Sequence, residues 1–269
     1  MIFRYLQRLW LKHILYRSRI PYSCWHEVIA SSHVFDYLTH IEKRRLRKLS
    51  SLFLHEKMIT GAGGLEIDLK KQVYISAHAC LLIINLNLDY FNGWSEVIVY
   101  PSSFVIKREQ YGADGVVHET QHALQGEAWG RGPVVLSWSD AQPNAHSHGP
   151  ASNVIIHEFA HKLDMLNGSA NGMPPLHPNM NRQDWTKFLT KAYNKLTQKI
   201  EHHHRTRIDS YAVENPAEFF AVLSEVFFVK PKLLFKQYPD VYRQFKLFYR
   251  QDTLKEQEKI RSDKNGSLS

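Results

Sequence analysis

Residues 153–168 read Asn-Val-Ile-Ile-His-Glu-Phe-Ala-His-Lys-Leu-Asp-Met-Leu-Asn-Gly, and the rest of the chain is organised around this stretch. Its apolar residues recur at helical spacing, and the final Asn-Gly pair is typical of a helix end. Residues four apart lie on one face of an α-helix, so His157 and His161 can bind the same metal ion. Glu158 lies about 100° around the helix, where it can act as a general base on water. The stretch therefore predicts a zinc-binding helix of the HExxH type.

A second copy of the HExxH pattern, at residues 118–122, shows that the pattern can also arise by chance in a chain with 16 histidines. At most one copy is expected to form the zinc helix. Frequent glycines between residues 111 and 140 predict antiparallel β structure there rather than a helix. The later copy is therefore the predicted metal site.

Composition and charge place the chain among globular proteins. It has 269 residues, of which 43% are hydrophobic and 22% charged. The two cysteines, Cys24 and Cys80, form no CxxC pair, which favours free thiols in a reducing, cytoplasmic compartment. No apolar run reaches the length of a transmembrane span. Residues 1–20 are basic and aromatic but lack the apolar core of a signal peptide, so we expect a solvated terminal helix or a basic helix that touches a membrane or a partner.

The net charge of +8 raises the possibility of nucleic-acid binding, but its distribution argues against it. The dense basic cluster, residues 43–48, falls inside a segment with apolar residues on another face. A charge run on the outer face of an amphipathic helix is usually solvated. We therefore expect no direct contact with nucleic acid.

Other segments give a coarse secondary structure. We predict an amphipathic helix over 36–58 that is closed by the Gly-Ala-Gly-Gly segment at 61–64, a short strand at 65–67, and a buried helix over 76–85 for which a strand is the alternative. A turn at 92–93, strands at 97–101 and 133–138, and a helix over 184–200 follow. The strand at 133–138 comes just before the HExxH helix. It is the predicted edge strand on which a peptide substrate pairs its backbone.

A catalytic zinc takes three protein ligands and keeps one position open, so a third ligand is needed. Glu218 is the candidate, in a buried helix that Asn215 caps and Pro216 begins. The same glutamate could instead close a capping box with Asn215. Glu225, two turns further on, could accept a hydrogen bond from a ligand imidazole. The triplet 202–204 is predicted to be a solvent loop, because adjacent histidines rarely converge on one ion.

Residues 157–164, together with 208–212 and 215–225, resemble the Mlc titration factor A family, bacterial zinc metallopeptidases of the gluzincin type. Further similarity at 126–129, 132–138 and 248–252 extends the resemblance to roughly 60–254. The family's fold is similar to the catalytic domain of anthrax lethal factor. This implies an α+β, zincin-like fold, with a small mixed sheet whose edge strand lies over the HExxH helix and with helices around it.

The resemblance also implies roles for individual residues. His157, His161 and Glu218 are the expected zinc ligands, and Glu158 is the expected base. Tyr211 matches a tyrosine whose hydroxyl faces the reacting carbonyl, the alternative being a half-buried loop aromatic. Outside the ligands, Asp164 and Glu225 are expected to support the imidazoles.

The implied activity is that of a zinc-dependent, aminopeptidase-like enzyme that hydrolyses peptide bonds by a zinc-activated water. The alternative is a regulatory protein whose main role is to sequester a DNA-binding repressor of sugar-uptake genes, of the Mlc type. We divide the chain into a helical N-terminal region (1–59), a metallopeptidase domain (60–254) and a polar, disordered tail (255–269). The Gly- and Pro-rich loop 168–178 is a candidate cover for the site.

Overall fold

The computed structural model describes residues 20–102, 104–111, 117–124, 126–128, 132–143, 145 and 152–254, with side chains described outside the 104–128 region. The N-terminal segment 1–19 and the tail 255–269 lie outside the described residues. The predictions made for those two segments therefore stay predictions, as does the division of the chain at residue 59.

The protein is a mixed α/β structure that consists mostly of helices. The helices are α1 Tyr22–Ala30, α2 His40–Glu56, α3 Leu69–Leu82, α4 Trp138–Ala141, α5 Val154–Asp164, α6 Arg182–Glu201, α7 Pro216–Val229, α8 Pro231–Gln237 and α9 Pro239–Tyr249. Short 3-10 turns cover His33–Phe35, Leu88–Phe91, Met165–Asn167 and Ser210–Val213. The strands are β1 Met58–Gly61, β2 Glu96–Tyr100, β3 Phe104–Tyr111, β4 Val117–Leu124, β5 Gly126–Ala128 and β6 Val134–Ser137.

The main sheet is small and mixed, with the strand order β1-β2-β6-β5. β1, β2 and β6 are parallel, and β5 pairs antiparallel with β6. The connection from β1 to β2 contains α3, as parallel neighbours require a long crossover. The strand predicted at 133–138 is present as β6, but it lies inside the sheet. Among the described strands, the edge on this side is β5, so the choice of 133–138 as the edge strand was wrong.

β3 and β4 form a separate antiparallel hairpin, in which Phe104 pairs with Leu124 and Tyr111 with Val117. The upstream HExxH copy, residues 118–122, lies within β4. Its backbone is extended, which confirms the prediction that it does not form a zinc helix. The side chains of this hairpin lie outside the described residues.

The hydrophobic core is one connected cluster that contains residues from Ile20 to Tyr249. Phe159 of α5 is fully buried, and its ring lies 5.1 Å from that of Phe91 and 5.7 Å from those of Phe53 and Trp94. Burying one such side chain contributes about 1.5–3 kcal/mol. The aromatic contacts therefore fix α5 against α2 and the segment that precedes β2.

Several predicted elements differ in detail from the structure. α2 begins at His40, because Thr39 and Glu42 form a capping box there, and it ends before β1. The segment 65–67 is not a strand; the strand lies earlier, at Met58–Gly61. The predicted buried helix is confirmed as α3, although it begins earlier, at Leu69. The helices α5, α6 and α7 and the strand β2 are confirmed close to their predicted bounds.

Among the residues that the structure describes, we find no helix with both the length and the apolar character that a bilayer-spanning segment needs. The histidine triplet 202–204 is exposed, as predicted for a solvent loop. Cys80 is buried and Cys24 partly buried, and both are free thiols.

Candidate metal centre

The first two candidate ligands are carried by α5, a helix buried along most of its length. Asn153 caps it by accepting a hydrogen bond from the backbone N–H of Ile156 at 3.0 Å. Its apolar residues face the core, which leaves His157 and His161 on one side, four residues apart. The ring centroids of these two histidines are 4.8 Å apart. The helix thus brings the two imidazoles together as the sequence predicts.

Glu218 reaches the same point from α7. The side chain of Asn215 caps this helix without help from the Glu218 carboxylate, accepting hydrogen bonds from the N–H groups of Ala217 (2.9 Å) and Glu218 (3.0 Å). The carboxylate of Glu218 is turned toward the histidines: its Oε2 lies 3.0 Å from His157 Nε2 and 3.3 Å from His161 Nε2. The structure therefore places this side chain at the imidazoles and not in a capping box.

The three ligand atoms form a small triangle. The two Nε2 atoms are 3.2 Å apart, and each is about as far from the Oε2 of Glu218. A tetrahedral zinc with bonds of about 2.0–2.2 Å holds its ligand atoms roughly 3.3 Å apart or slightly more. The triangle fits that requirement with little adjustment. These residues are the group in the described part of the chain that can hold a metal ion.

The ionisable groups of this cluster shift one another's pKa. Burial alone would lower the pKa of His157, but the carboxylates of Glu218 and Glu225 raise it well above the usual range. Burial likewise opposes ionisation of Glu218, yet its hydrogen bonds to His157 and His161 hold its pKa well below the usual range. Negative charge is thus stabilised where a cation would bind.

Glu225 contacts the far side of one ligand. Its Oε1 lies 2.8 Å from His157 Nδ1, and its Oε2 accepts a hydrogen bond from the backbone N–H of Asn153. A carboxylate at Nδ1 keeps the proton on that nitrogen and directs Nε2 toward a metal. Glu225 therefore orients the imidazole and also ties α7 to the first turn of α5.

Glu158 is almost fully buried, and its Oε2 has no hydrogen-bond partner among the described residues. Burial raises the pKa of this carboxyl to about 6, while the neighbouring histidines lower it. The side chain does not belong to the ligand triangle. Its surroundings are those of a carboxyl group that can exchange a proton.

Tyr211 lies on the 3-10 turn Ser210–Val213, which precedes α7. Asp209 accepts a hydrogen bond from the Tyr211 N–H at 2.9 Å, and Tyr193 of α6 donates its hydroxyl to the carbonyl of Val213 at 2.7 Å. These bonds fix both ends of the turn. Tyr211 is 42% exposed, and its ring centroid lies 6.1 Å from that of His157. The tyrosine is thus next to the metal site, with part of its surface open to solvent.

Asp164 is fully buried one turn after His161, and one of its two oxygens binds the backbone of the loop that follows α5. Its Oδ2 accepts hydrogen bonds from the backbone N–H groups of Asn171 (2.8 Å) and Gly172 (2.7 Å). Its Oδ1 and the Nδ1 of His161 are both buried without a hydrogen-bond partner in the described part of the chain. Burial raises the pKa of Asp164, and these backbone bonds and His161 oppose the rise.

Lys162 is a buried cation beside the site that the sequence analysis did not single out. Its Nζ donates to the carbonyl of Gly132 at 2.7 Å and lies 5.1 Å from the ring centroid of Trp94. Burial lowers its pKa to about 8, while Glu158 raises it. The contact connects α5 to the segment that leads into β6. A lysine inside an apolar helical run is a sequence signal for a buried cation. It does not identify the partner, because Gly132 lies 30 residues earlier in the chain.

The comparisons with known proteins identify the family of this chain. The model of the glucose-regulated metallo-peptidase M90 family matches residues 6–250, and the chain belongs to that family. Curated relatives named Mlc titration factor A are similar over most of their length. The protein of Salmonella arizonae is 38% identical over 217 residues, which cover 80% of this chain and 86% of the relative. Those of Klebsiella pneumoniae and Escherichia coli are 36% identical over 232 residues, covering 86% of both chains.

Proposed function

We propose that this protein is a zinc-dependent peptidase of aminopeptidase-like specificity, and that His157, His161 and Glu218 are its metal ligands. The observation that carries the proposal is the triangle of two imidazole nitrogens and one carboxylate oxygen, with separations of 3.0–3.3 Å. Two histidines and one glutamate are a ligand set of catalytic zinc sites, which leave one position open for substrate or water.

Each residue then has a chemical role. A zinc ion bound here supplies a Lewis acid that polarises a carbonyl and makes water more acidic. Glu158 accepts the proton of the attacking water and passes it to the leaving amine. Tyr211 donates its hydroxyl to the oxygen on which negative charge develops. Glu225 holds the ring of His157 in its binding orientation.

The arrangement around the site supports a zincin-like fold. α5 packs beside both β5 and β6, so the edge strand β5 runs next to the HExxH helix. An extended peptide that pairs with β5 would lie across the metal site. We also propose that the metallopeptidase domain begins after residue 59 and that the protein is cytoplasmic.

The enzyme is tested with Glu158→Gln. We expect the variant to bind zinc at one equivalent, like the wild type, and to lose activity on chromogenic amino-acid anilides and short peptides by at least about 100-fold. Glu214→Gln, a change at an exposed glutamate of the same region, is the control and should keep full activity. Zinc-loaded wild type that cleaves no peptide in a broad library would contradict the proposal.

The ligand set is tested by elemental analysis of His161→Ala and Glu218→Ala beside the wild type. Both variants should lose stoichiometric zinc, because two remaining ligands hold a metal ion poorly. If Glu218→Ala retained all of its zinc, the assignment of the third ligand would be wrong, and Glu225 would be the next carboxylate to test.

A second function, binding of a transcription repressor, is favoured by the name of the similar proteins, Mlc titration factor A. We propose that this chain binds a repressor of the Mlc type, in addition to its peptidase activity. Glu158→Gln separates the two, because it should remove hydrolysis and leave the affinity for purified repressor unchanged. A wild type that does not bind the repressor would remove this second function and leave the first.

A further inference from the structure

The loop that follows α5 is held in place by several side chains. Gly168 begins it with a φ of 140°. Asp164, at the end of α5, binds the N–H groups of Asn171 and Gly172, and Trp185 of α6 donates its indole Nε1–H to the carbonyl of Gly172 at 3.0 Å. These partners belong to two different helices. The first half of the loop is therefore part of the framework rather than a free cover.

Gly172 is the point where this loop meets α7. Its φ is +78°, and a Cβ built on it would lie 2.4 Å from the carbonyl oxygen of Pro216 and 3.0 Å from the carbonyl carbon. Pro216 is the first residue of α7 and comes two residues before Glu218. Because backbone atoms cannot move aside as a flexible side chain can, no larger residue fits without displacing the start of α7.

The two helices that carry the ligands are thus connected at both ends of α5. At its N-terminal end, Glu225 of α7 binds the N–H of Asn153 and the ring of His157. At its C-terminal end, Asp164 binds Gly172, which lies against Pro216. The candidate ligands His157, His161 and Glu218 lie between these two connections. The distance between the helices at the second connection depends on a glycine backbone.

We propose that Asp164 and Gly172 are positioning residues for the metal site, acting through the first turn of α7 on the carboxylate of Glu218. The inference rests on the proposed metal ligands and adds a determinant of metal affinity that touches neither metal nor substrate. In Gly172→Ala the added methyl pushes the loop from Pro216 and moves Glu218 relative to the two histidines.

The experiment measures zinc affinity by chelator competition, and the visible absorption of the cobalt(II)-substituted protein, for the wild type, Gly172→Ala and Gly64→Ala. Gly64 is the matched control, since its φ of +81° carries the same backbone strain while no atom beyond its own chain neighbours lies within 4 Å of a built Cβ. We expect Gly172→Ala to weaken zinc binding by at least about tenfold and to alter the cobalt spectrum. Gly64→Ala should bind both metals as the wild type does. Wild-type affinity and spectrum in Gly172→Ala would overturn the inference.

Asp164 is tested with Asn and Ala. Asp164→Asn keeps an oxygen acceptor for the N–H groups of Asn171 and Gly172, so it should retain zinc binding, whereas Asp164→Ala should lose at least about tenfold. An Asn variant as weak as the Ala variant would contradict action through the loop. If Gly172→Ala does not fold, Trp185→Phe takes its place, because it removes the other hydrogen bond to Gly172. We expect it to weaken zinc binding and to alter the cobalt(II) spectrum, and wild-type values of both would overturn the inference. A wild type that binds no zinc would overturn both this inference and the proposed function. Gly172→Ala and Asp164→Ala variants that bind zinc as tightly as the wild type would overturn this inference and leave the proposed function intact.

Discussion

The two carboxylate oxygens of Glu225 each accept one hydrogen bond, from the Nδ1–H of His157 and from the backbone N–H of Asn153. Glutamine offers one acceptor oxygen in the same place, so Glu225→Gln leaves one of these donors unsatisfied or facing an amide. We expect zinc affinity to fall by about 10–100-fold, the range found for residues that orient a metal-bound histidine. Competition with a chromogenic chelator measures it, with Glu214→Gln as the control. A change below about twofold would argue against this role.

The residues of the site differ in how well sequence alone can find them. His157, Glu158 and His161 follow from spacing on one helix, because the geometry of a helix is regular. Glu218 needed an argument from a distant segment, and the structure brings its carboxylate to the imidazoles. The contact of Gly172 with Pro216 has no counterpart in the sequence beyond the glycine itself, since it depends on how the loop crosses α7.

At the scale of elements, the caps of two helices allow a matched comparison. Asn215 caps α7 and Asn181 caps α6, each accepting hydrogen bonds from two backbone N–H groups. Replacing either by alanine should lower the free energy of unfolding by about 1 kcal/mol. Only Asn215→Ala loosens the turn that carries Glu218, so only this variant should also bind zinc more weakly. Urea unfolding of the metal-free proteins and zinc titration measure the two effects; equal zinc affinity in both variants would contradict the argument.

The elements also show where sequence analysis fails. Helices such as α5 and α7 were predicted because their caps and apolar faces are local signals. β1 was missed because its four residues, Met58–Gly61, become a strand by parallel pairing with β2, 38 positions further along the chain, which no local pattern encodes. The position of β6 inside the sheet could not be predicted for the same reason, because strand order depends on long-range pairing. The sequence shows that β6 precedes the HExxH helix, but it does not show that β5 pairs with the other edge of β6.

For the whole molecule, we predict a pH dependence of stability that comes from His78 of α3. This fully buried ring donates from Nδ1 to the carbonyl of Tyr74 at 2.8 Å, its Nε2 lies 3.1 Å from the hydroxyl of Ser32, and the ring of Phe35 packs against it. Burial lowers its pKa to about 4, below the ordinary value of 6.5. Between these two values the unfolded chain binds more protons than the folded one, so stability falls as the pH decreases from 6.5 toward 4.

The expected loss from His78 between pH 7 and pH 5 is about 2 kcal/mol in the free energy of unfolding. His78→Gln keeps a donor and an acceptor but does not titrate, so its stability should decrease by that much less over the same interval. Urea unfolding of metal-free wild type and variant at both pH values gives the difference. Parallel pH profiles of the two proteins would show that His78 does not contribute.

The separation of the candidate ligands along the chain has a consequence for the whole fold. Glu218 is 57 residues from His161 and 61 from His157, so the three groups are together only when α5 and α7 are packed. A metal ion bound to all three would act as a cross-link between distant parts of the chain, and its binding free energy would add to folding. At a free metal concentration 1,000 times the Kd, this amounts to about 4 kcal/mol. The lifetime of the chain against cellular proteases would then follow the supply of its metal.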